Sequence, residues 1–224
     1  MLQFKLLKKL FLAIAACFAI GASAQSNIQW EGVAGFNLSN YGGLGSKPGA
    51  HFGAKAEFGL PSIADGVYLN AGALFSLEGY KVDFMGIASA KANAAFLDIP
   101  IHMGYRYTIN DKVAVFGEAG PYVAVGLFGK ISSSVDFMGE IEGEKLNTFD
   151  SMKRFDIGAG LKFGVEVLQK YTLSIGYDWG FMNLAKSADA GTTGEDWSDD
   201  EYEGDDLNSS LKSKNLTISI GYKF

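Results

Sequence analysis

The chain has 224 residues, 29 of them glycine and only 4 proline, with 13% aromatic and 20% charged residues and a formal net charge of −6. That length fits one domain of moderate size, and glycine combined with aromatics suits a barrel of strands. Acids outnumber bases and no basic run occurs, which excludes a nucleic-acid binder.

The N-terminus reads as a secretory signal covering residues 1–24. Lys5, Lys8 and Lys9 supply the positive region, Leu10 to Ile20 the apolar region, and Ala22-Ser23-Ala24 the small-residue cleavage site. The mature chain is expected to start at Gln25. The apolar region is too short to cross a bilayer as a helix, and no other run approaches about 18 apolar residues. Cys17 is the only cysteine and falls inside the signal, so the mature chain has no disulfide. Ile14-Ala15-Ala16-Cys17 also resembles a lipobox, but Phe18, Ala19 and Ile20 continue the apolar run where a lipoprotein turns to a polar tether.

Downstream, eight stretches alternate with period two. The first places Ile28, Trp30, Ala34, Phe36 and Leu38 against Gln29, Glu31, Asn37 and Ser39. In the second, Ala50, Phe52, Ala54, Ala56, Phe58 and Leu60 oppose His51, Gly53, Lys55, Glu57 and Gly59. The third sets Val67 to Leu77, taken alternately, against Tyr68, Asn70, Gly72, Ser76 and Glu78, with Leu74 the one mismatch. The fourth carries Ala95 to Tyr107 outward and Asp98, Pro100, His102, Gly104 and Arg106 inward, and proline's missing donor predicts a bulge or break at Pro100. The fifth, Val113 to Val125, places Glu118, Gly120 and Tyr122 inward. In the sixth Asp156, Lys162 and Glu166 face inward, in the seventh Thr172, Ser174 and Asp178, and the last runs from Asn215 to Phe224 with Lys223 inward.

The connections alternate in length. Pro61 to Gly66, Thr108 to Lys112 and Val167 to Lys170 are short, whereas Tyr41 to Pro48, Tyr80 to Lys91, Gly126 to Lys153 and Asn183 to Lys212 are longer. Short turns on one side and long loops on the other describe an all-β, eight-stranded antiparallel transmembrane barrel of up-and-down type, with both termini in the periplasm. Recruitment of loop segments would raise the count to ten. A soluble sandwich or lipocalin-like barrel also alternates, but its polar face needs dense charge of both signs, and here that face is glycine-rich with lone charges. Trp30, Tyr80, Tyr105, Tyr107, Tyr171, Trp179, Tyr222 and Phe224 cluster at strand ends, where interfacial girdles sit.

Phe96-Leu97-Asp98-Ile99-Pro100-Ile101 with Gly104-Tyr105-Arg106-Tyr107, Gly117 to Tyr122 and the terminal Gly221-Tyr222-Lys223-Phe224 resemble the PorT-like, porin-family outer-membrane barrels of Gram-negative envelopes. The resemblance covers essentially the whole mature chain and implies residence in the outer membrane, in contact with its lipid. Tyr222 and Phe224 look like the signal read by the barrel-assembly machinery, which would engage the last strand by its edge.

The inward set holds Glu31, Glu57, Glu78, Asp98, Glu118, Asp156, Glu166 and Asp178 against Lys55, Arg106, Lys162 and Lys223, with His51 and His102. Eight strands leave an interior just wide enough for side chains, so these predict a plug of ion pairs more than a pore. Neither histidine has a serine two residues on, as a lipid-deacylating site requires, so no catalytic residue and no cofactor is assigned. Asp189 to Asp206 holds nine acids and no base; with the signal removed the chain carries 16 bases and 25 acids, a net of −9 equal to this segment's charge. Asp196, Asp199, Asp200, Glu201, Glu203, Asp205 and Asp206 suit a hard divalent cation in type, but their spacing fits no EF-hand frame. The expectation is a monomeric, non-enzymatic barrel, structural or binding an extracellular ligand or envelope protein through its loops. A narrow cation-preferring pore and an accessory barrel of a secretion system are the alternatives.

Overall fold

The computed structural model describes residues 28–42, 44–84, 88–136, 140–142, 147–185 and 211–224. The strands are β1 (Ile28–Tyr41), β2 (Gly45–Gly59), β3 (Val67–Phe84), β4 (Ala88–Asn110), β5 (Val113–Asp136), β6 (Glu140–Glu142), β7 (Phe155–Val167), β8 (Tyr171–Gly180) and β9 (Ser213–Lys223). One helical turn, α1 (Thr148–Ser151), lies between β6 and β7. Each strand pairs antiparallel with its chain neighbour, β5 passes to β7, and β1 pairs with β9, so eight strands close into an up-and-down barrel. The three-residue β6 only lengthens one hairpin against the end of β5.

Alternation decides which face is which. Along β9, Ile220 is 64% exposed while Ser219 is 3% and Lys223 2% exposed, and on β1 Phe36 is 76% exposed beside the buried Asn37. Apolar side chains therefore coat the outside and polar ones fill the inside, the reverse of a soluble barrel. The described residues contain no helix long and apolar enough to cross a membrane, so spanning falls to the strands.

Three of the connections are tight turns at one end of the barrel. Gly66 turns into β3 at φ +84° with its Cα facing the Arg106 carbonyl oxygen, which would stand 2.4 Å from an added Cβ. Asn110 Oδ1 accepts from the backbone N–H groups of Lys112 and Val113, both at 2.9 Å. Between β7 and β8, Leu168 and Gln169 both adopt positive φ, 55° and 58°, a reversal that asparagine and glycine make more readily.

At the opposite end the structure corrects the expected loops. Most of Tyr41 to Pro48 and Tyr80 to Lys91 is strand, because β1 runs on to Tyr41, β2 starts at Gly45, β3 runs on to Phe84 and β4 starts at Ala88; only the connections after β5 and β8 are long. The cause is the continued pairing of β3 with β4 from Glu78 to Phe84, in which loop segments lengthen existing strands and add none to the barrel. Since β8 needs 10 residues and β4 and β5 have 23 and 24, one wall rises well above the rest. At Pro100 the ladders break without a bulge, as proline's missing donor predicts: against β3 the bridges of Ile99 and Pro100 are missing between Leu74/Asp98 and Ala71/Ile101, and against β5 one register holds from Phe96 to Thr108 with bridges missing opposite Ile101 and His102. The shifts fall elsewhere, at Ala95/Phe96, at Thr108/Asn110 and beside Pro48, between Ser46 and His51. At that last break, β1 side chains reach past β2 to serve β3. Asn37 donates to the Leu77 carbonyl at 3.0 Å, and Ser39 Oγ both donates to Gly79 O and accepts from Gly79 N at 2.9 Å.

Candidate functional site

The enclosed lumen and the mouth above it gather the inward-facing charges of the described residues. Nearest the turns, four strands each send one charged group inward. Arg106 from β4 grips Glu57 of β2 through Nη1 at 2.6 Å and Nη2 at 2.5 Å, and its Nε stands 3.0 Å from Glu166 of β7. Lys223 of β9 donates to the same two carboxylates, at 2.9 Å to Glu57 and 2.7 Å to Glu166. Two cations and two anions thus form a neutral square across the barrel. The Tyr68 ring lies under the Arg106 guanidinium, 4.7 Å away, and occupies the space above Gly104, where an added Cβ would come within 2.4 Å of it.

One layer further up, Glu118 accepts from Tyr68 at 3.0 Å and from Asn70 at 2.9 Å, and faces Lys162 across the β5–β7 ladder. Lys55 stands 4.0 Å from Glu31, which also accepts from Thr172. His102 Nδ1 stands 3.8 Å from Glu118 Oε2. His51 Nε2 meets Ser219 Oγ at 2.8 Å, a serine–histidine contact that the sequence does not announce; its Nδ1 has no partner and the pair is buried in the lumen.

Lys55, Arg106, Lys162 and Lys223 are opposed by Glu31, Glu57, Glu118 and Glu166, and the remaining acids, Glu78, Asp98, Asp156 and Asp178, all line one cavity of about 50 Å³ beneath the mouth, which Lys162, His51 and His102 line as well. Glu78 and Asp156 accept from neutral donors. Tyr41 and Asn215 donate to Glu78, the latter at 3.0 Å, and Asp156 accepts from Tyr122 at 3.2 Å, Ser213 at 2.5 Å and the Ile157 N–H at 2.9 Å. Among the described residues no group of three acids, histidines or cysteines is placed to hold a metal ion.

Above the cavity sits an apolar stopper that the period-two reading did not contain. Phe149 and Met152 from α1 and its C-terminal flank, with Leu184 beyond β8, pack on Tyr41, Ala94, Phe96 and Ala124, all buried. Phe149 meets Phe96 edge-on at 5.7 Å and fills the space over Gly126. Asn147 caps α1 by accepting from Phe149 N at 3.0 Å, and Thr148 Oγ1 donates to Asn93 O at 2.8 Å, which ties the turn to the β4 wall. An N-cap asparagine ahead of a short apolar pair was the legible signal, though too short to read as an element. Tyr80 belongs to this stopper, packed 6.0 Å from Tyr41, and not to an outer girdle, since it shares the inward parity of Ser76 and Glu78. Leu74 and Phe116 likewise face inward. Trp30, Tyr105, Tyr107, Tyr171, Tyr222 and Phe224 do ring the outside at the turn end, where Tyr171 and Tyr222 are cross-strand partners with rings 5.4 Å apart. Ala22 and Ala24, and the acidic stretch that includes Asp199, Asp200, Glu201, Glu203, Asp205 and Asp206, lie outside the described residues.

A closed, antiparallel barrel of eight strands, apolar outside and filled with paired charge inside, is a transmembrane β-barrel. The chain belongs to the outer membrane protein beta-barrel domain family, which it matches over residues 22–186, and this places it in the outer membrane of a Gram-negative envelope. It is similar in structure to Neisserial surface protein A (14% identity, 88% of this chain and 97% of that one, TM-score 0.42). Ail, the attachment invasion locus protein of Yersinia pestis, is similar at 12% identity over 88% of this chain and 97% of its own, TM-score 0.40. The outer membrane protein OprG from Pseudomonas aeruginosa has 12% identity over 89% and 97%, TM-score 0.42. No curated protein sequence matches the chain.

Proposed function

We propose that this is a non-enzymatic, non-conducting barrel that serves the envelope as a structural or surface-binding protein through its loop end. The observation that carries the reading is the occupied lumen: a neutral charge square, a second polar layer, a cavity of about 50 Å³ and an apolar stopper follow one another from turns to mouth. Such a column leaves no continuous water path for ions, and the binding surface is then the tall wall of β3 to β5 with the loops beside it. The turns face the periplasm, as short turns do in this architecture, and an even strand count brings both termini to that side. Residues 1–24 are the signal removed on export. No catalytic role is assigned in this reading: the serine–histidine contact found among the described residues is buried, and its His51 Nδ1 has no partner there.

Tyr222 and Phe224 act as the assembly tag. In the closed barrel β9 is paired on both sides, with β8 and with β1, so recognition by the assembly machinery precedes closure. The protein works as a monomer, and its PorT-like segments at 96–107 and 117–122 support an accessory role in secretion as the second form of the same reading.

The test is conductance of the refolded protein in planar bilayers. Silence at the resolution of single channels is expected; discrete, cation-preferring openings would replace this reading with a narrow pore. Deletion of residues 189–206 separates surface roles: loss of binding to envelope or host material assigns the role to that loop, and unchanged binding assigns it to the wall.

A further inference from the structure

The register of the tall wall gathers four lysines that are scattered in sequence. On β3 and β4, Lys81 and Lys91 are direct cross-strand partners. One row below, Gly79 faces Asn93 on β4, and Asn93 faces Lys130 on β5. Lys47 of β2 joins this row from the far side. Its stem crosses Gly79, where an added Cβ would stand 2.9 Å from Lys47 Cδ, and its Nζ donates to Ala92 O at 3.1 Å and to Asn93 Oδ1. Lys91 and Lys130 are exposed, and no acid pairs with either among the described residues.

Directly beneath, the next outward row is Leu77, Ala95 and Phe128, which are cross-strand neighbours. With Asn93, Ala94, Gly129, Lys130 and Ser132 they line a groove of about 470 Å³ on the wall, which Glu78 also lines. At roughly 2.5 Å of height per residue for a tilted strand, the lysines stand roughly 30–48 Å above the turn ends of their strands, past an apolar band about 25 Å tall. They therefore lie at the depth of lipid headgroups, with a notch for an acyl chain below them.

We propose that this face is a binding site for an anionic membrane lipid: a phosphate headgroup held by Lys47, Lys91 and Lys130, and an acyl chain seated against Leu77 and Phe128. Ammonium groups at headgroup depth attract phosphate, and the groove adds apolar contact that a free anion cannot use. The site rests on the barrel being embedded in lipid and not on whether it conducts.

The experiment uses the mature chain in nanodiscs of phosphatidylcholine containing phosphatidic acid. A Phe128→Trp reporter is placed in a chain whose Trp30, Trp179 and Trp197 are changed to phenylalanine. Quenching by brominated phosphatidic acid is compared with quenching by brominated phosphatidylcholine at equal mole fraction. Local enrichment of the acid is expected, about fivefold for each lysine engaged, and it should persist in excess inorganic phosphate. Lys47, Lys91 and Lys130 changed together to glutamine should return it to the phosphatidylcholine level. Equal quenching by the two lipids, an enrichment that survives the glutamine variant, or full displacement by inorganic phosphate would each overturn the proposal. The parent chain supplies the control for embedding: if Trp30 on the outer turn end is quenched by neither lipid, it is the membrane placement that has failed.

Discussion

Replacing Lys223 with methionine probes the charge square directly. Lys223 is 2% exposed, and its ammonium bridges Glu57 and Glu166 at 2.9 and 2.7 Å, the same carboxylates that Arg106 holds. The substitution keeps most of the stem's volume but leaves two buried carboxylates facing one guanidinium, a net charge of −1 in a space with little water. Breaking a buried pair by removing one partner costs about 3–5 kcal/mol, and that is the loss expected for Lys223→Met. Adding Glu57→Gln restores neutrality to the cluster, so the double variant should be more stable than the sum of the single losses predicts, by about 1–3 kcal/mol. The assay is urea titration of the barrel refolded in phosphatidylcholine vesicles, followed by tryptophan fluorescence and by the mobility of unboiled samples on gels. A loss below about 1 kcal/mol, the scale of solvent-exposed pairs, together with additive effects in the double variant, would mean that the lumen is hydrated and that the filled-interior argument is wrong.

Three further outcomes follow from other parts of the molecule. Leu168 and Gln169 hold positive φ in the β7–β8 turn, so the pair Leu168→Asn and Gln169→Gly should raise stability by about 1 kcal/mol in the same titration. Phe149→Ala should weaken the stopper by about 3 kcal/mol, read as loss of amide protection at Met152, whose N–H donates to Thr148 O at 3.1 Å; unchanged protection would show that Phe149 does not hold the cap. Gly104→Ala drives a methyl into the Tyr68 ring and should cost about 1–3 kcal/mol, whereas Gly59→Ala, with nothing within 4 Å of its added Cβ, should be neutral in the same measurement.

Much of the barrel was legible because a strand's side chains alternate strictly, and in a membrane barrel both faces are selected at every position. In β9, Leu216, Ile218 and Ile220 against Thr217 and Ser219 state the outside and the inside outright. The inward charges were legible for the same reason, residue by residue, from Glu31 to Lys223. Their partners were not. Nothing in the order of the chain says that Arg106 and Lys223 share Glu57 and Glu166, since that depends on which strands meet across the lumen and at what stagger.

The same division holds elsewhere. Local composition alone determined the strands, the short turns and the polarity of the wall, because those follow from propensity and period within a few residues. Only the tertiary structure decided that Tyr80 turns into the stopper, that Phe149 and Leu184 meet over the acids, and that Lys47, Lys81, Lys91 and Lys130 share one outer face. Each of these joins residues from different strands or loops, and the contact exists only once closure and register have brought distant segments to the same height.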